Sequence, residues 1–196
     1  LLQIGGTFMQ HSFNLKAFEN LPTTLKPSDY VDFLLFLAHE KPCLRLGYNQ
    51  TDVYLEMIAW CKTHKLAYVV SEAGFMYISK YFPLAYIAKV VDDSTISHTY
   101  IFGKILGYPS CCSKRIATIG ESNIDDFEKE FVSSSDFRAP YHIINPEGYI
   151  DGYSLISHIP CCATCKRSLK KASATYKVIL KYGDRPAFFK WRNYWL

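Results

Sequence analysis

Two short segments constrain this chain more than any other feature: Gly107-Tyr108-Pro109-Ser110-Cys111-Cys112 and His158-Ile159-Pro160-Cys161-Cys162-Ala163-Thr164-Cys165. Each sets a proline just ahead of clustered thiols, and each leads into a run with helical periodicity. Proline is favoured in the first turn of a helix, where its missing N–H has no partner to lose. The pattern predicts two helix N-termini that carry cysteines, and a fold that must house both. At such a terminus the free N–H groups and the helix dipole favour a thiolate.

Helical phase indicates which thiols look inward. In the first segment Cys112, Ile116 and Ile119 share a stripe at i, i+4, i+7, while Cys111 aligns with the more polar Arg115 and Thr118. In the second, Cys165, Leu169, Ala172, Tyr176 and Ile179 form a stripe that Cys161 and Cys162 extend one turn back. If both stripes face one core, Cys112, Cys161 and Cys165 converge, with Cys111 or Cys162 at the margin. The remaining two of the seven cysteines, Cys43 and Cys61, stand alone and read as small buried hydrophobes.

An odd cysteine count at uneven spacing in 196 residues does not resemble a secreted disulfide framework, so a reducing, cytoplasmic setting is expected. There, clustered thiols point to metal ligation or to thiol chemistry. The spacing is not that of a zinc ribbon. Adjacent cysteines fit awkwardly on one tetrahedral ion, whereas an iron–sulfur cluster offers several irons, and its negative charge suits two helix N-termini. The cluster is therefore the preferred cofactor and zinc the alternative, with Cys111, Cys112, Cys161, Cys162 and Cys165 as candidate ligands. His158, two residues before Pro160, is the candidate catalytic group, as proton donor, base or further ligand.

The two segments together resemble an uncharacterised, largely archaeal family. Its members carry a G-Y-P-x-C-C element followed, some tens of residues later, by H-x-P-C-x-x-x-C-x-x-S. The resemblance covers about residues 100–170 and implies Cys111, Cys112, His158, Cys161, Cys165 and Ser168 as the family positions, with Cys162 an addition. It strengthens the site and assigns no reaction.

The rest of the chain reads as a helix-dominated α+β domain with a small antiparallel sheet. One domain over 1–196 is expected, organised as a helix and hairpin part (28–91), a helical cysteine-site part (92–182) and an aromatic basic tail (183–196). Leu21 to Pro27 is punctuated loop, and Ser28 is expected to cap a helix buried on nearly every side through Val31 and Phe33 to Leu37, which Pro42 stops. A second helix starts near Thr51 with Val53, Met57, Trp60 and Cys61 on one face. Residues 66–70 and 75–79 read as a hairpin around Gly74. After an apolar segment from Pro83 to Val91, Ser94 is expected to cap a helix with His98, Ile101, Phe102 and Ile105 on one face, ending at Gly107. His98 reads there as a satisfied core histidine, and His142 is a weaker candidate than His158. Glu121 to Glu130 reads as a solvated helix face over Ile124, Phe127 and Phe131, and the turns at 145–152 as a lid over the second knot.

Several classes are excluded or unsupported. The longest stretch without a charged residue is 1–15, too short and polar for a spanning helix, so no membrane association is expected. The start also lacks a signal peptide's basic region and cleavage pattern. No phosphate loop, dinucleotide fingerprint, nucleophile elbow or H-E-x-x-H occurs. Charge is lopsided: residues 166–196 hold nine Lys/Arg against the single acid Asp184, together with Trp191, Tyr194 and Trp195. Three functional readings follow. They are a cysteine-ligated metalloprotein, a metal-free thiol redox or sulfur-transfer enzyme, and an RNA-binding module with structural zinc that contacts nucleic acid through 166–196.

Overall fold

Residues 31–37 are buried without a break, Asp32 among them, as their near-continuous apolar sequence predicts. The computed structural model describes residues 25, 27–47, 51–94, 96, 98–147, 149 and 154–182. Helix α1 (Pro27–Leu37) lies between two cores. Phe33, Phe36 and Leu37 face Leu44, Trp60 and Ile78, while Val31, Leu34 and Leu35 face Ile144, Leu155 and Ile179. The helix starts at Pro27, so Ser28 lies inside its first turn and not at its cap. It also ends before Pro42. His39 takes a φ of 68°, the Glu40 N–H bonds the Leu35 carbonyl at 2.8 Å and the His39 N–H bonds that of Phe36 at 3.1 Å. This closure satisfies carbonyls the helix end would leave open.

Pro42 instead leads into strand β1 (Cys43–Gly47), for which the sequence raised no expectation. The sheet has the order β1-β3-β2, antiparallel throughout, with β2 (Ala67–Val70) and β3 (Phe75–Ser79) forming the expected hairpin. Between the sheet's strands runs helix α2 (Thr51–Thr63), with Met57, Trp60 and Cys61 buried; the side chain of Val53 lies outside the described residues. Leu44, Leu46, Met76 and Ile78 pack one sheet face on α1 and α2. Cys43 and Tyr77 pack the other on Ala85 and Ala88 of helix α3 (Phe82–Asp92), which Pro83 opens. Alternate residues of a strand serve opposite faces, so both faces of this small sheet are covered. Cys43 and Cys61 are fully buried, and burial pushes both thiols up to about 12, which fits packing residues.

Helix α4 (Thr99–Ile105) begins after His98, which holds the N-cap position without a side-chain bond. Ser94 does not cap it; its hydroxyl accepts the Ile96 N–H at 3.2 Å. Ile101 is exposed, so the expected four-residue stripe breaks, and only Phe102 and Ile105 reach the core. The end at Gly107 is as expected. Its φ is 81°, and a Cβ there would lie 2.7 Å from Pro42 Cδ, so both conformation and space demand glycine.

Helix α5 (Ser110–Ile119) carries the first knot, and a 3-10 turn at Glu121–Asn123 leads into helix α6 (Ile124–Ser134). The acidic residues of α6 face out over half-buried Ile124 and Phe127 and buried Phe131, apart from half-buried Glu128. A second 3-10 turn, Tyr141–Ile144, precedes helix α7 (Lys166–Tyr182). Seven α-helices and one three-stranded antiparallel sheet among the described residues make this a helix-dominated α+β fold. No described helix is long and apolar enough to cross a membrane. Gly148 and 150–152 of the expected lid, and the tail 183–196 with Trp191, Tyr194 and Trp195, lie outside the described residues.

Candidate metal centre

Pro109 holds the N-cap position of α5, and its carbonyl accepts the N–H groups of Cys112 and Ser113 at 2.9 and 3.0 Å. Cys111 and Cys112 therefore occupy the first helical turn, as the sequence predicts. The second knot departs from expectation. α7 starts only at Lys166, so Cys161 and Cys162 are not on it. Cys165 supplies the physical reason. Its carbonyl accepts the Leu169 N–H at 2.9 Å and its Sγ accepts the Ser168 N–H at 3.5 Å. The sulfur thus takes the place of the side-chain oxygen of an ordinary N-cap, and the helix cannot extend further back. Upstream, the Cys165 N–H bonds the Cys162 carbonyl at 3.1 Å, and the turn so closed carries Cys161 to the other sulfurs. Along α7 the inward stripe includes Thr175, while the expected Tyr176 is exposed.

The fold brings Cys111, Cys112, Cys161 and Cys165 together, their sulfurs all within 4.8 Å of one another. Three edges of that group, Cys111–Cys112, Cys111–Cys165 and Cys112–Cys165, each measure 3.8 Å. Cys112 and Cys165 are buried, and Cys111 and Cys161 are partly so. Such a group can hold a metal ion. Cys162 is not part of it: the residue is exposed, and its Sγ lies 3.9 Å from the Thr164 hydroxyl. Leaving the helix phase is what separates Cys162 from its neighbour.

The thiols differ in acidity. Burial drives Cys112 up to about 12, against the Ser168 hydroxyl and the Cys161 N–H, and burial also drives Cys161 up. At Cys165 burial is outweighed by the Ser168 hydroxyl and N–H together with the Cys161 and Cys112 thiols, which leaves it at about 7. Of these three thiols Cys165 is the readiest to ionise, and a soft cation displaces thiol protons on binding.

His158 stands one hydrogen bond outside the sulfurs. Its Nε2 lies 2.9 Å from Ser168 Oγ, and that oxygen lies 3.3 Å from Cys112 Sγ. Burial, and then the charges of Lys41 and Lys171, hold the imidazole down at about 3, so it is neutral at ordinary pH. In the tautomer that carries its proton on Nε2, the neutral ring donates to Ser168 and leaves the hydroxyl to donate to sulfur. Ser168 is fully buried. The residue therefore links His158 to the sulfur group.

A cavity of about 330 Å³ adjoins the sulfurs, with Cys112 and His158 in its wall. It also contains a buried ion pair that the sequence reading missed, Lys41 Nζ to Asp32 Oδ2 at 2.7 Å. The available signal was Asp32 itself, a lone acid inside an otherwise apolar helical run. His98 lines the same cavity, while His142 lies in the second 3-10 turn. Of the five lysines in the basic helix, Lys166, Lys170, Lys177 and Lys181 are exposed. Lys171 turns inward and donates to the Glu40 carbonyl at 2.6 Å. No family model, no curated protein and no solved structure matches the chain.

Proposed function

We propose that this is a metal-binding protein in which Cys111, Cys112, Cys161 and Cys165 hold a single tetrahedral ion, best fitted by zinc. The sulfur spacing carries the reading. Zinc–sulfur bonds of about 2.3 Å in a tetrahedron place the sulfurs about 3.8 Å apart. Three edges here have that length. An iron–sulfur cluster puts thiolates on separate irons with sulfide between them, which requires a wider opening than this group offers. The expected awkwardness of adjacent cysteines does not arise, because the first turn of α5 points both sulfurs the same way at 3.8 Å.

Four protein thiolates leave no open coordination position, so the ion acts structurally and does not activate a substrate. It would tie the start of α5 to the segment leading into α7. The resemblance of the two cysteine motifs supports the same ligand set.

Metal and acid-labile sulfide analysis of protein purified without oxygen tests the reading. About one zinc per chain and no sulfide is the expected result. Iron with matching sulfide, or a metal-free protein, would overturn it. The low pKa of Cys165 favours a second reading, a metal-free dithiol in which Cys165 attacks and a neighbour resolves. That alternative requires rapid alkylation of Cys165 in protein shown to contain no metal.

A further inference from the structure

A helix that is apolar on every side is ordinarily buried, as α1 is here between its two cores. Helix α3 has the same character but is covered on one side only. Its charged residues are Lys89 and Asp92 alone. Ala85 and Ala88 face the sheet, and Lys89 and Asp92 follow them by one turn on that flank. Both charges are engaged, Lys89 with Asp93 at 2.7 Å and Asp92 with Arg45 at 2.6 Å. The outward side consists of Phe82, Pro83, Tyr86, Ile87 and Val90, all of them exposed and none of them charged. Phe82 and Tyr86 are 60% and 51% exposed, and their rings stack at 6.1 Å with planes 20° apart.

Single exposed apolar side chains are ordinary, but a continuous face of them marks an interaction surface. Those two rings alone present on the order of 200 Å². Pro83, Ile87 and Val90 bring the patch within the roughly 300–600 Å² of the largest patch on a typical monomer. α4, packed against α3, exposes Tyr100 and Ile101 as well. Two such faces joined, with their rims, bury on the order of 1,000 Å², which is what a specific interface needs.

Charge and shape select the occupant. Nucleic acids, anionic membranes and charged peptides are captured by opposite charge, and the outward side of α3 offers none. A second copy brings an equally uncharged face, so that no charge loses its solvation on pairing. Phe82, Tyr86 and Val90 form one i, i+4, i+8 ridge centred on Tyr86. Two antiparallel ridges about a two-fold axis at Tyr86 set the large Phe82 of each beside the small Val90 of the other.

We propose that α3 is a dimer interface, joining two copies of this chain as an isologous pair across a two-fold axis at Tyr86. The interface contains no sulfur ligand and stands apart from the metal reading.

Sedimentation of the full chain, as purified and over a range of concentrations, tests the proposal. A mass near twice the 22.5 kDa of one chain is expected, with a dissociation constant in about the micromolar range. Tyr86→Lys and Tyr86→Glu each set like charges together on the axis and should each weaken the dimer at least ~30-fold. Circular dichroism of both variants should match the parent, because Tyr86 is half exposed in the single chain. Mixing the two variants should restore a dimer, since residue 86 meets itself only across such an axis. Leu180→Lys, at an equally exposed apolar position on α7, should leave the dimer intact. A single-chain mass at about 100 μM, whether lipid vesicles, another protein or nothing then takes the face, would overturn the proposal. So would a dimer that both Tyr86 variants leave intact, or a mixture of the two that stays monomeric.

Discussion

Ser168→Ala is the sharpest probe of how the sulfurs are organised. The hydroxyl is fully buried, 3.3 Å from Cys112 Sγ and 2.9 Å from His158 Nε2. Removing it deletes the hydroxyl beside the sulfur and leaves the half-buried His158 Nε2 without its partner. The backbone N–H of residue 168, which caps Cys165 Sγ at 3.5 Å, survives the change. A hydrogen bond to a charged group contributes about 1.5–3 kcal/mol, and each ~1.4 kcal/mol is a factor of ten in affinity. Zinc binding should therefore weaken by roughly 10- to 100-fold, in line with losses seen when outer partners of metal ligands are removed. Competition against a chromophoric chelator at fixed pH measures this, with near-ultraviolet dichroism of the zinc-loaded variant confirming that it folds. An affinity within about twofold of the parent protein would refute the claim that the His158–Ser168 relay supports the sulfurs.

Cys162→Ser should leave zinc stoichiometry and affinity unchanged, because that residue is exposed and outside the sulfur group; Cys161→Ser should weaken zinc more than Ser168→Ala does, and identical behaviour of the two cysteine variants would contradict the ligand set. Lys41→Met strands the Asp32 carboxylate, 8% exposed at the side chain, and should lower unfolding free energy by about 3–5 kcal/mol in denaturant titration. Asp32→Asn combined with Lys41→Met should recover most of that loss; a single variant as stable as the parent would show that the pair is idle. For His158, the folded-state value near 3 lies below the ordinary 6.5, so the folded protein binds fewer protons than the unfolded chain. Its contribution is present above pH 6.5 and is lost as pH falls toward 3, with a slope of up to about 1.4 kcal/mol per pH unit. His158→Gln should flatten that part of the stability–pH curve relative to the parent, and parallel curves would show that the histidine titrates normally.

What was legible in the sequence was whatever rests on local chemistry. The apolar run of α1, the hairpin with Gly74 at φ 85°, and the stop at Gly107 follow from side-chain pattern and backbone preference within a few residues. The first knot was legible for the same reason, since Pro109 fixes a helix start. What failed depended on the rest of the fold. Strand β1 is five residues long, and its pairing with β3 spans Cys43 opposite Ser79, so no local signal announces it. The end of α1 was misplaced because His39 adopts a conformation usually left to glycine. Cys161 and Cys162 were placed on a helix because nothing in the sequence says that Cys165 caps with its own sulfur. Cys161 still joins the group, by a route that helical phase did not provide. The ion pair of Asp32 and Lys41 closes over nine residues of chain and then reaches Ser157, 116 residues away, a contact that periodicity alone cannot reveal.

These observations converge on one segment. Residues 154–165 contain no helix or strand, yet Ser154, Leu155, Ile156, Ile159, Pro160 and Cys165 are buried. Irregular backbone is usually kept at the surface because its polar groups need partners. Here side chains hold it: the Ser154 hydroxyl bonds the Ile156 carbonyl at 2.7 Å, Lys41 reaches Ser157, and His158 reaches Ser168. The two sulfurs of Cys161 and Cys165 anchor its far end against α5. Zinc should therefore stabilise this segment more than the sheet. Amide hydrogen exchange with and without a zinc chelator measures the difference directly. The amides of Leu155, Ile156 and His158 should exchange faster on chelation, while those of Tyr77 and Ile78 in the central strand should keep their protection. Uniform loss of protection across the sheet and the segment would show that the ion supports the whole fold, and unchanged exchange would show that it anchors neither.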